Sequence, residues 1–103
     1  MANDKHPESF AIGSPVWPGL SKLAEEAGEV LQIVGKLMGT GGERAHWDGS
    51  DLRERLTEEI SDLLAACDFV TSANGLDRAA VDERRANKLA LFYVWHGRPP
   101  AGS

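Results

Sequence analysis

The chain is predicted to be all-α: three main helices per subunit, in a helical bundle completed by subunit pairing. Three observations predict this. Apolar residues recur at three- and four-residue spacing in three stretches, as they do on helical faces. Clusters containing glycine or proline separate those stretches, and no segment sustains the alternation of a strand. The length of 103 residues fits one domain, laid out as an irregular segment over 1–16, a helical domain over 17–96 and a disordered tail over 97–103. Hydrophobic residues make up 42%, enough only for a small core, because small domains bury a lower fraction of their surface. Pairing of subunits is a usual remedy.

The first helix is expected over 18–38. Pro18 stands where a first helical residue would, a position proline tolerates. Leu20, Leu23, Ala27, Val30, Leu31, Val34 and Met38 form its apolar stripe, and Gly39, Gly41 and Gly42 end it. The segment "GTGGERAHWDGS" is long for a connection between helices, and such loops tend to be functional or mobile. The second helix is expected over 51–74, with Ser50 as N-cap and with Asp51 and Glu54 well placed in the first turn. Its stripe is Leu52, Leu56, Ile60, Leu63, Leu64 and Cys67, and Asn74-Gly75 signals its end. Asp77 caps a third helix, 78–95, that runs through Val81, Arg84, Lys88, Leu91, Phe92 and Trp95 to a stop at Gly97 and Pro99-Pro100. Tyr93 and Trp95 are expected in the core or at a subunit interface.

The formal net charge of −5 argues against nucleic acid or an anionic membrane as partner, since both call for basic patches. It suits a protein that recruits cations. Cys67, the only cysteine, excludes an intrachain disulfide and fits a cytoplasmic setting. On its helix it is expected to be a small buried hydrophobe. The N-terminal "MANDKHPESF" lacks the apolar core of a signal peptide. The apolar run "LLAACDFV" is short and carries Asp68, so no membrane span is expected.

The most informative pattern is a duplication. "LAEEAGEVL", starting at Leu23, returns 33 residues later as "LTEEISDLL", starting at Leu56. On a helical wheel Glu26 lies at the edge of the first apolar arc with Glu29 beyond it, and Glu59 and Asp62 repeat the arrangement on the second helix. Acids at i and i+3 share one side of a helix, so packing the two stripes together would bring the four acids to one rim. Carboxylates so gathered repel each other unless something positive sits between them. Hard divalent cations prefer such oxygens, whereas the absence of Cys or His at ligand spacing disfavours zinc.

"EEAGE" followed by "EEISD" resembles the E-E-x-x-E … E-x-x-D signature of the MazG-like all-α nucleoside triphosphate pyrophosphohydrolases. The resemblance covers about Trp17 to His96, and "ERRANKLALFYVWHG" is similar to the third helix of short members. It implies hydrolysis of a nucleoside triphosphate to the monophosphate and pyrophosphate by attack of water at the α-phosphorus, in a house-cleaning role. By position, Glu26, Glu29, Glu59 and Asp62 would hold Mg²⁺, with Mn²⁺ as a substitute. Glu25 or Glu58 would be an outer ligand or the base that orients water. The resemblance also implies a homodimer or a dimer of dimers.

The third helix adds an observation of its own. Arg84 and Lys88 fall inside the apolar arc of Val81, Leu91, Phe92 and Trp95, with Asn87 at its edge, and inward charge is costly without a partner. The functional expectation is that Arg84, Asn87 and Lys88 face the acids and grip the triphosphate. The bland one is a salt bridge to the same acids. Lys36 shares a face with Glu29 and is a weaker phosphate-binding candidate. Trp17 and Trp47 are candidates for stacking on a nucleobase, while His46 is expected to be a surface residue. A phosphoribosyl-ATP pyrophosphohydrolase shares the acid signature, but the long insertion between the acidic helices disfavours it. The alternative from another class is a non-catalytic module whose acidic rim binds metal or a basic partner.

Overall fold

The computed structural model describes residues 9–45 and 49–97. It contains three helices, α1 (Leu20–Gly39), α2 (Leu52–Ala73) and α3 (Arg78–His96). No strand occurs among the described residues, only an isolated bridge between Ala45 and Asp51. Each helix begins and ends within two residues of its expected bounds, because the termini are written locally. The N-cap of α2 is Asp51 rather than Ser50: its carboxylate accepts from the amides of Arg53 and Glu54, satisfying donors that the first turn leaves without partners. Asp77 caps α3 through the Ala80 amide. Past α1, the Gly42 amide donates back to the Leu37 carbonyl at 2.8 Å, closing the helix through left-handed glycines.

Helices α1 and α2 form an antiparallel hairpin. The Asn74 side chain, at the end of α2, donates to the Pro18 carbonyl at the start of α1 at 3.0 Å. Gly19 lets the crossing close: its φ is +90° and a β-carbon there would stand 2.6 Å from the Phe69 ring. At the other end the described ends of the connection are clasped together. The Arg44 guanidinium donates to both Asp51 carboxylate oxygens, and the Leu52 amide donates to the Arg44 carbonyl at 2.7 Å.

The seam between the helices runs along positions seven apart, which align on a helix wound at close to 3.6 residues per turn. On the α1 side this line is the N-cap Gly19, then Glu26 and Ile33; on α2 it is Leu52, Glu59 and Ala66. The 33-residue repeat of the sequence maps one line onto the other. Ile33 and Leu52 are fully buried, whereas Glu26 and Glu59 are half-buried between their apolar neighbours. The expected stripes are therefore only partly the contact. Leu31 remains 69% exposed, Met38 76% and Leu64 55%. Cys67, expected to be buried, is exposed; it stands at the edge of the seam, beside the buried Ala66 and one turn before the buried Thr71.

Helix α3 stands apart. None of its residues is buried, so within one chain Trp95, 69% exposed, and the half-exposed Tyr93 belong to no core. Arg78 anchors its first turn to Asp68 of α2 at 3.4 Å. The Cα radius of gyration is 17.3 Å, against about 13 Å for a compact domain of 100 residues. Among the described residues, no helix is long and apolar enough to cross a membrane.

Candidate acidic metal site

The midpoint of the seam is acidic. Glu26, Glu29 and Glu59 each offer a carboxylate oxygen, and these atoms lie within 4.8 Å of one another. Glu26 and Glu59 come from the seam lines themselves, while Glu29 sits one turn further along α1 and on its rim. One oxygen of Glu26 and one of Glu59 are shielded from solvent without a hydrogen-bond partner. Two such atoms are costly for a small fold, since a buried polar group without a partner loses its hydration and gains nothing in exchange.

The electrostatics follow the geometry. Burial raises the Glu26 carboxyl above its ordinary value, and the charges of Glu29 and Asp62 push it further. Glu59 is raised first by a hydrogen bond shared with Glu29, then by burial and by the charges of Glu29, Asp62 and Glu26. Three carboxylates this close repel one another, and a divalent cation among them would offset that repulsion. Oxygen donors of this hardness suit Mg²⁺ or Mn²⁺, so the residues fit such an ion.

Asp62 is exposed and lies beside the triplet, facing a cleft of about 450 Å³ whose walls include Lys22, Glu26, Ala65 and Phe69. The structure thus brings Glu26, Glu29 and Glu59 together and sets Asp62 at their rim. Glu25 is turned to Lys22, 3.1 Å away, and that hydrogen bond raises the Lys22 ammonium. Glu58 is exposed, and neither it nor Glu25 enters the cluster. Trp17 is exposed, with a φ of +46°; Lys36 is half-exposed. Trp47 and His46 lie outside the described residues.

Arg84, Asn87 and Lys88 do share one face, an open surface of α3 that also carries Ala80, Glu83 and Leu91. That surface does not meet the acids within one chain. The expectation of inward-facing cations fails there because α3 has no packed inner side. Among the described residues neither Arg84 nor Lys88 makes an ion pair, so the salt-bridge alternative is not realised either. Lys22, four residues before Glu26, was missed. The signal was present, since i and i+4 share a helix face.

No family model matches the chain, and no curated protein or solved structure matches it either.

Proposed function

We propose that the chain is a Mg²⁺-dependent nucleoside triphosphate pyrophosphohydrolase that converts a nucleotide and water to the monophosphate and pyrophosphate in nucleotide-pool house-cleaning. One observation carries the reading: two glutamates face each other across the seam, each with a shielded oxygen lacking a partner. A solvated acidic surface would not seal those oxygens away. Glu26, Glu29 and Glu59 would hold the ion, with Asp62 as a further ligand at the rim. When bound, such a cation lowers the pKa of water and offsets charge on phosphate oxygens.

The remaining roles belong to side chains around the cluster. Lys22 borders the cleft beside Glu26 and can meet a phosphate oxygen that the acids alone would repel. Ile12, Ala65 and Phe69 give the same cleft an apolar wall, which limits water around the reacting groups. Arg84, Asn87, Lys88 and Lys36 are the further phosphate contacts, and Trp17 and Trp47 the stacking surfaces for a base. The working form is a cytoplasmic homodimer or dimer of dimers.

Pyrophosphate release from a panel of canonical and modified nucleotides, with Mg²⁺ and with chelator, tests the proposal. Turnover should require Mg²⁺ and be lost in Glu59→Gln. No turnover of any nucleotide, or turnover indifferent to Glu59→Gln, would sink it. The exposed apolar residues of α3 favour one second reading, a metal-stabilised interaction module. Thermal stabilisation by Mg²⁺ without turnover would select that reading.

A further inference from the structure

The exposed faces of α2 and α3 match each other in spacing, charge and size. On α2, Glu58, Asp62, Ala65 and Phe69 stand at i, i+4, i+7 and i+11. On α3, Arg84, Lys88, Leu91 and Trp95 stand at the same intervals. Each set therefore follows one helix face at the same rise and rotation. Laid side by side in parallel, the helices would pair two acids with two bases, an alanine with a leucine, and a phenylalanine with a tryptophan. All eight residues are exposed. An antiparallel arrangement reverses the order and sets Trp95 toward the acidic end.

A chain cannot make this contact with itself. Parallel alignment of Lys88 with Asp62 would carry the first residue of α3 about 30 Å back along α2 from its C-terminal end, at 1.5 Å per residue. Only the four residues 74–77 join the helices, and four extended residues reach about 14 Å at most. We infer that α3 of a second copy docks in parallel along the Glu58–Phe69 face of α2, so that Lys88 of one subunit reaches the Asp62 rim of its partner's acidic site and Arg84 pairs with Glu58 one turn away. Charge complementarity and the common spacing select a second copy as occupant. Reciprocal exchange gives a closed two-fold dimer with two such contacts. The benefit to catalysis rests on the pyrophosphohydrolase reading; the association does not.

The test needs no nucleotide. In a Cys67→Ser background, Ala65→Cys together with Leu91→Cys places thiols at the middle of the proposed contact while keeping its charges and rings. Mild oxidation should give a covalent dimer on a non-reducing gel. A bridge formed within single chains, or no bridge, overturns the inference. Independently, Lys88→Glu should weaken self-association by about tenfold or more at low salt, and adding Asp62→Lys should restore it, both read by sedimentation velocity. Association unchanged by Lys88→Glu, or a monomeric parent protein, would also overturn it. If dimers cross-link and no nucleotide turns over, the docking stands and the enzymatic reading falls.

Discussion

Two carboxylate sites at different heights of the same hairpin are finished in opposite ways. At the loop end, Asp51 caps α2 and is held by the Arg44 guanidinium at 2.8 Å. That hydrogen bond draws its carboxyl down to about 2. At the middle of the seam, Glu26 and Glu59 are shielded without a cation and their carboxyls are raised. The first site spends its charge on holding the fold. The second gathers carboxylates with shielded oxygens that no partner in the chain satisfies, and a group kept so at the cost of stability is a candidate for function.

The sharpest way to break this contrast is Glu59→Gln. If the seam acids serve chemistry, turnover should fall by at least the roughly 10–100-fold that follows loss of an outer partner of a metal ligand, since Glu59 is proposed to hold the ion itself. In chelator the same variant should melt no lower than the parent, because the amide carries no charge to desolvate. A loss of stability comparable to the loss of turnover would make Glu59 structural.

Next in size is Ile33→Ala, which removes the largest buried side chain on the Glu26 line of the seam. Truncation of a buried isoleucine costs about 2–5 kcal/mol, readable by urea denaturation. A smaller loss would place the main α1–α2 contact elsewhere. Gly19→Ala should cost about 1–3 kcal/mol, through its φ of +90° and the contact its β-carbon would make with Phe69. Because Phe69 also walls the cleft, this variant should raise KM more than it lowers kcat.

The smallest effect is the most direct comparison of the two sites. Carboxyls raised in the folded state, as at Glu26 and Glu59, contribute stability that is full below their unfolded pKa and lost as pH rises through the folded one. Asp51 is lowered, so its contribution is present above 3.8, its ordinary value, and lost as pH falls toward about 2. In chelator the melting temperature should therefore rise as pH is lowered from neutrality and fall again as pH drops from 3.8 toward about 2. Glu26→Gln with Glu59→Gln should flatten the first slope, and Asp51→Asn the second. A profile falling monotonically from pH 7 would show that the seam acids are not raised.

What was legible in the sequence was what neighbouring residues encode. Helix bounds followed from Asp77, Asn74-Gly75 and the glycines after α1, because caps and left-handed turns are settled within a few residues. The acid cluster followed from the duplicated "EE" phrases, since the repeat places Glu26 and Glu59 at equivalent points of two faces. Which face would pack did not follow. Leu31, Met38 and Leu64 are as apolar as Ile33, and hydrophobicity alone cannot tell an intrachain seam from a surface presented outward. The position of α3 was hidden for a related reason. Its stripe of Leu91, Phe92 and Trp95 reads as a buried face, but the sequence does not say whose core it would enter.

The Arg44–Asp51 clasp also makes a practical handle. With Ala45 bridged to Asp51 and the ends of the connection fixed, extra residues inserted between them lengthen a loop that is already closed. Closure entropy grows only with the logarithm of length, about 0.6 kcal/mol for each doubling. A peptide tag or a fluorophore-binding segment grafted there should leave α2 capped and the acidic seam undisturbed. The hairpin could then carry a reporter at one end while metal binding or partner docking is followed at its middle.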